Sequence, residues 1–73
     1  MNIYDLSIVL PVYNEEKVIE RVIKDIYRQV FQVFQGKCEL IVAEDGSTDG
    51  TKEILKRIER EIPIKLITGK ERK

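Results

Sequence analysis

The chain is short of the residues that usually hold small proteins together. Its 73 residues include one cysteine, Cys38, and no histidine or tryptophan. An intramolecular disulfide is therefore impossible, and a zinc site built from cysteine and histidine ligands is excluded. A chain of this length buries only about 60% of its unfolded surface. We expect one small domain of marginal stability, with Cys38 as a buried or half-buried thiol in a reducing setting.

The charge balance and the lack of long apolar runs exclude further classes. Thirteen basic residues balance thirteen acidic ones, so there is no net charge to hold a nucleic acid. No apolar run approaches the ~20 residues that span a bilayer, and the first five residues lack the basic stretch of a signal peptide. The sequence predicts a cytoplasmic protein with no nucleic-acid partner.

What the chain does have is an alternation of two apolar patterns. Short, nearly continuous runs, typical of parallel strands covered on both faces, occupy residues 6–10, 39–43 and 64–67. Between them, apolar residues recur every three or four positions, which predicts two helices. The first runs from an Asn14 cap to about Gly36, and the second from Ser47 or Thr48 to about Glu61. The order β-α-β-α-β predicts an α/β fold, a three-stranded parallel sheet with right-handed crossovers and helices packed on it.

The loop after the first strand lacks the glycines with which a dinucleotide-binding turn approaches a pyrophosphate. Residues 11–16 read Pro-Val-Tyr-Asn-Glu-Glu instead, with Pro11 predicted to end the strand. Two carboxylates repel a phosphate but accept hydrogen bonds from sugar hydroxyls. The loop thus suits a base and a ribose, with Tyr13 as a flat face and Glu15 as a ribose acceptor. The alternative is structural: Tyr13 covers the core, Asn14 caps the helix and Glu15 complements the helix dipole.

The loop after the second strand is acidic and rich in small residues. Residues 44–51 read Glu-Asp-Gly-Ser-Thr-Asp-Gly-Thr. Successive side chains on a strand point to opposite faces, so Glu44 and Asp45 cannot both face one ligand. We favour Asp45 as an acceptor for an N–H of the base, because a carboxylate accepts hydrogen bonds without donating any. The polar residues after Gly46 are fully explained as the capped start of a helix.

Together the two loops closely resemble one family, the GT-A-fold inverting glycosyltransferases that include dolichol- and polyprenyl-phosphate sugar synthases. Their chains open with an apolar strand, Pro-Val-Tyr-Asn-Glu, a helix, a strand and Asp-Asp-Gly-Ser-Thr-Asp-Gly-Thr. Residues 6–16 and 41–51 match that opening almost residue for residue, in order and at a fitting spacing. The resemblance implies the Rossmann-like N-terminal part of a GT-A fold, with residues 1–73 as a single truncated nucleotide-binding subdomain of a larger glycosyltransferase.

The resemblance also implies a site for a sugar linked to UDP or GDP. In this family the nucleoside pocket is lined by the residues that match Pro11, Tyr13, Glu15 and Asp45. Glu44 stands where the family usually has Asp, and we include it as a candidate nucleotide contact.

The catalytic groups that the resemblance implies are not found in these residues. In the family an Asp-x-Asp motif holds Mg²⁺ or Mn²⁺ against the donor diphosphate, and no Asp-x-Asp occurs in these residues. The family's general base is likewise expected beyond them. We therefore predict no catalytic residue and no metal ligand here, and no turnover by this chain alone.

These observations favour the nucleotide-sugar-binding part of a glycosyltransferase whose full-length form transfers a sugar to a polyprenyl (dolichyl) phosphate, at the cytoplasmic membrane face. The alternative is a non-catalytic, self-associating α/β folding module. A receiver-like domain is disfavoured, because the Pro-Val-Tyr-Asn-Glu turn does not suit its acidic site. A sheet cut from a larger one exposes an edge and apolar surface, so we expect a homodimer. We expect residues 70–73, Lys-Glu-Arg-Lys with a net positive charge, to form a solvated tail, rather than to steer a diphosphate to the site.

Overall fold

The computed structural model describes residues 3–69 and confirms the α/β fold. Strands and α-helices alternate as β1 (Leu6–Val12), α1 (Ile19–Ile26), β2 (Cys38–Glu44), α2 (Thr51–Glu61) and β3 (Lys65–Thr68). The strands form one parallel sheet in the order β1-β2-β3. A π-helical segment, residues 27–31, continues α1. Residues 70–73 lie outside the described residues, so the prediction of a solvated tail stays a prediction.

The hydrophobic core lies on one face of the sheet. The apolar side chains with at most 2% exposure are Val12, Ile19, Ile23, Leu40, Val42, Leu55 and Ile58. Those from the strands alternate along the chain, and those from the helices recur at steps of three or four residues, as the two periodicities require. An ion pair of 2.7 Å between Glu20 and Arg57 joins the outer sides of α1 and α2. Both helices therefore cover the same face.

The other face of the sheet carries no helix among residues 3–69, so the prediction that the strands are covered on both faces is wrong for this part of the chain. The register and the alternation of side chains place on it Ser7, Val9, Pro11, Glu39, Ile41, Ala43, Lys65 and Ile67. We call this set the open face. Val9 is 60% exposed and Ile67 is 52% exposed. Right-handed crossovers that proceed in one direction across a sheet deliver successive helices to the same side, which explains the bare face.

Four predicted element boundaries are corrected by the structure. The helical segment that begins with α1 ends at Phe31 rather than near Gly36. β1 runs through Pro11 to Val12, because β1 is an edge strand, where a missing N–H need not interrupt the ladder. α1 begins at Ile19 rather than at Asn14, and α2 begins at Thr51 rather than at Ser47 or Thr48. The polar residues predicted to cap these helices bond to the opposite loop instead.

Candidate functional site at the carboxyl rim of the sheet

The three strands end level with one another. Val12, Glu44 and Thr68 are Cα partners at the carboxyl ends of β1, β2 and β3. The N–H of Asp45 donates to the Val12 carbonyl at 2.9 Å, and the N–H of Gly69 donates to the Glu44 carbonyl at 2.8 Å. The two motif loops therefore lie side by side at one rim, where open α/β sheets bind their ligands.

Tyr13 and Asp45 follow these paired strand ends directly and remain exposed. The Tyr13 side chain is 37% exposed. A methyl group built on Gly69 would lie 3.4 Å from Asp45 Oδ1, so the Asp45 carboxylate lies close to the end of β3. Pro11 lies two residues before Tyr13, on the open face, and is the Cα partner of Ala43. The rim thus presents an aromatic ring and a carboxylate within one residue of paired positions.

Glu15 contributes to a separate depression next to the first loop. A cavity of about 230 Å³ is lined by Asn14, Glu15, Glu16, Lys17, Val18 and Asp49. Tyr13 and Asp45 are not among its lining residues. A second cavity, of about 590 Å³, lies at the amino ends of β2 and β3 and contains none of the predicted contacts. A nucleoside held by Tyr13 and Asp45 would therefore have to extend along the first loop for its ribose to reach Glu15.

Glu44 is the predicted contact that the fold buries. Its side chain is 3% exposed, and Oε2 accepts a hydrogen bond from the N–H of Ser47. Among residues 3–69, Oε1 has no hydrogen-bond partner. Burial raises the pKa of the Glu44 carboxyl, but the hydrogen bonds from Ser47, the backbone N–H of Gly69 and the nearby charge of Lys52 outweigh it, so this pKa lies below its usual value. Glu44 is thus an ionised group inside the protein, and its carboxylate is shielded from solvent.

Asn14 ties the two loops together. Its N–H donates to Ser47 Oγ at 2.9 Å, and its Oδ1 accepts the N–H of Thr48 at 2.8 Å. Its backbone is left-handed, with φ of 48°. Asn accepts this conformation more readily than most residues, because its short polar side chain bonds to neighbouring backbone groups. The prediction that Asn14 caps the first helix is therefore wrong: it bridges the loops, and the helix begins later in the chain.

A second set of bonds connects the same loops further from the sheet. The N–H of Glu15 donates to Thr51 Oγ1 at 2.9 Å, and that hydroxyl donates to Asp49 Oδ1 at 2.5 Å. The N–H of Gly50 lies 3.3 Å from Glu16 Oε2. The Thr51 hydroxyl is the main reason that the pKa of Asp49 lies below its usual value. The sequence did not predict that Glu16, Asp49 and Thr51 would connect the two loops. The signal that points to such a connection is the presence of two polar loops on adjacent parallel strands.

The acidic loops do not form a metal site by themselves. Residues 3–69 contain no group of three or more His, Cys, Asp or Glu side chains that could hold a metal ion. These side chains therefore do not fit the Mg²⁺ or Mn²⁺ that the family resemblance implies for the full-length enzyme.

No helix in the described part of the chain is long and apolar enough to cross a membrane.

Comparison with known proteins identifies the family. The model of glycosyl transferase family 2 matches residues 7–73, which include both motif loops. The chain belongs to glycosyl transferase family 2, and the predicted resemblance to GT-A glycosyltransferases is confirmed. Over 62 residues it is 32% identical to validoxylamine A glucosyltransferase of Streptomyces hygroscopicus subsp. limoneus, a match that covers 85% of this chain and 13% of that protein.

Two further relatives have names that refer to an undecaprenol-linked glycan or to dolichyl phosphate. GalNAc(5)-diNAcBac-PP-undecaprenol beta-1,3-glucosyltransferase of Campylobacter jejuni is 32% identical over 56 residues, which cover 77% of this chain and 17% of that protein. UDP-N-acetylglucosamine--dolichyl-phosphate N-acetylglucosaminyltransferase of Methanococcus voltae is 33% identical over 54 residues, 74% of this chain and 19% of that protein. The aligned part of the chain thus spans less than a fifth of each of these relatives. No solved structure is a significant match.

Proposed function

We propose that this chain is the nucleotide-binding part of a family 2 glycosyltransferase that uses a UDP- or GDP-linked sugar. The observation that carries the proposal is the pairing of Val12 with Glu44, because Tyr13 and Asp45 are the residues that directly follow these two positions at the rim. An aromatic face stacks on a base, and a carboxylate accepts a hydrogen bond from a base N–H. Pro11 and Glu15 complete the proposed site, with Glu15 as the acceptor for the ribose hydroxyls.

In this proposal the chain binds and orients the donor but does not activate it. Glycosyl transfer needs a base on the acceptor and compensation for the charge that develops on the leaving diphosphate. Two of the acidic residues, Glu16 and Asp49, accept hydrogen bonds from backbone N–H groups of the opposite loop. We propose that the metal ion, Mg²⁺ or Mn²⁺, and the base are supplied by other parts of the parent enzyme, and that this chain alone is inactive.

For the acceptor we propose a polyprenyl phosphate. The names of the relatives from Campylobacter jejuni and Methanococcus voltae refer to an undecaprenol-linked and a dolichyl-phosphate substrate. A parent enzyme acting on such a lipid would work at the cytoplasmic face of a membrane. Activity of the parent with a polyprenyl phosphate, compared with a water-soluble sugar acceptor, tests this part.

The nucleotide site is tested by following backbone amide shifts of labelled protein during titration with UDP and, separately, GDP, with and without Mg²⁺. We expect saturable shifts at Tyr13, Glu15 and Asp45, independent of Mg²⁺. A dissociation constant of about 1 mM, equivalent to about −4 kcal/mol, is expected because a base and a ribose make few contacts. Asp45→Ala, which removes the acceptor, should abolish the shifts, and Asp25→Ala on α1 should not. Absence of shifts up to several millimolar nucleotide contradicts the proposal.

The second candidate is the self-associating, non-catalytic α/β module. The open face favours it, because Val9 and Ile67 are more than half exposed on a parallel sheet, and parallel sheets are usually covered on both faces. Light scattering discriminates when combined with the titration. A dimer that binds no nucleotide supports the module, whereas nucleotide binding by a monomer supports the glycosyltransferase part.

A further inference from the structure

The buried carboxylate of Glu44 calls for an explanation. A charged group inside a protein is costly unless it is hydrogen-bonded, and here Oε1 has no partner among the described residues. Oε2 accepts the N–H of Ser47, which lies in the turn after β2. The carboxylate, at the end of the central strand, therefore fixes the backbone of the second loop through its hydrogen bond with the Ser47 N–H.

Ser47 extends this hold to the first loop. Its N–H donates to Glu44, while its Oγ accepts the N–H of Asn14 at 2.9 Å. Ser47 is 3% exposed, so water does not compete readily for either bond. Asn14 lies between Tyr13 and Glu15 in the chain. Three hydrogen-bonded residues thus connect the end of β2 to the segment proposed to bind the nucleoside.

We propose that Glu44 is a positioning residue for the nucleotide site, acting through Ser47 and Asn14 on the segment from Tyr13 to Glu15. In this proposal Glu44 does not touch the nucleotide, and the positioning role replaces the contact role that the sequence predicted for it. The inference rests on the proposed function, because the segment that it orders carries two of the proposed contacts. A purely local role, in which Glu44 orders only its own turn, predicts no effect on Asn14.

The connection is tested first without nucleotide, by amide hydrogen exchange. Ser47→Ala removes the acceptor of the Asn14 N–H and should speed exchange of that amide about tenfold, equivalent to about 1.4 kcal/mol, while a central amide of β2 is unchanged. Glu44→Gln keeps an oxygen acceptor but loses the charge that strengthens the bond from the Ser47 N–H, so it should speed exchange at both Ser47 and Asn14. Glu44→Asp, which keeps the charge, should restore protection at both. If Glu44→Gln speeds exchange of the Ser47 amide and leaves exchange of the Asn14 amide unchanged, the proposal is overturned.

The consequence for binding is tested by repeating the UDP and GDP titrations. Glu44→Gln should weaken binding about tenfold, again equivalent to about 1.4 kcal/mol. The matched control is Glu39→Gln, on the same strand but on the open face, where its carboxylate accepts a hydrogen bond from Ser7 Oγ. It should leave both exchange and affinity unchanged.

The two arms separate the two ideas. If the wild type binds and Glu44→Gln binds equally well, the positioning role is overturned and the proposed function stands. If the wild type does not bind nucleotide, the proposed function fails, and the exchange at Asn14 still decides whether Glu44 acts on the first loop. Should Glu44→Gln fail to fold, Ser47→Ala replaces it in both measurements, and unchanged exchange and affinity in that variant overturn the proposal.

Discussion

The two faces of the sheet both carry branched apolar residues but have different surroundings. On one face, Leu40 and Val42 are at most 1% exposed beneath the two helices. On the open face, Val9 and Ile67 keep more than half of their surface in contact with solvent. Both faces alternate along the same three strands, and the open face carries Ser7, Glu39 and Lys65 beside its apolar residues. The difference shows that strand order, through the side to which each crossover delivers its helix, decides which apolar residues become core.

The largest expected effect compares two isoleucines. Ile58 on α2 is 0% exposed, and Ile67 on the open face is 52% exposed. Ile58→Ala should lower the free energy of unfolding by about 2–5 kcal/mol, because it removes buried methylenes and leaves a cavity. Ile67→Ala should change it by no more than about 0.5 kcal/mol. Urea denaturation of both variants at low protein concentration measures this. Equal losses would mean that the open face is covered after all.

A smaller effect is expected on association. We predict that the protein forms a homodimer through the open face or a sheet edge, since exposed apolar patches of this kind mark interaction surfaces. Val9→Lys should then weaken dimerisation about tenfold or more, equivalent to about 1.4 kcal/mol. Gln35→Lys, in an exposed loop, is the control for added charge. Light scattering over a concentration series is the measurement, and a wild-type monomer at high concentration refutes the prediction.

The smallest effect is expected on the outer side of the helical layer. The hydrogen bonds from Arg57, helped by Lys24, lower the pKa of Glu20 from 4.5 to about 2. Because the folded pKa lies below the unfolded one, this ion pair favours folding above pH 4.5, and its contribution is lost as the pH falls from 4.5 toward 2. Exposure and salt screening keep that contribution small.

Carboxyl carbon shifts followed against pH measure this pKa directly. Arg57→Gln should move the pKa of Glu20 back toward 4.5. Arg60→Gln, also exposed on α2, should leave it unchanged. An unchanged Glu20 pKa in Arg57→Gln would show that the two helices are not coupled through this pair.

Much of the fold could be predicted from the sequence because it depends on local periodicity. Continuous apolar runs and steps of three or four residues report strands and helices directly. The predicted end of α2 at Glu61 is confirmed. The predicted helix starts were wrong by several residues. Asn14 and Ser47 are good capping residues, but each has a partner in the other loop, which a local rule cannot foresee.

In the candidate site, too, the sequence predicted the features that depend on local pattern and missed those that depend on contacts between distant residues. The side-chain alternation on a strand predicted that Glu44 and Asp45 would face different ways, and the structure buries Glu44 while leaving Asp45 exposed. The sequence did not show which other residues would connect the loops. The bonds from Asn14 to Ser47 and from Glu15 to Thr51 join residues 33 and 36 positions apart.

The sequence by itself determined the α/β class, the three strands and the rim at which both motifs emerge, because each depends on spacing along the chain. The tertiary structure decided which sheet face is bare, that Glu44 is buried, and which loop residues pair. Those features depend on the strand order and on a register in which Val12, Glu44 and Thr68 end level. Such a register arises only when distant segments pack together, since hydrogen bonding and burial act on neighbours in space.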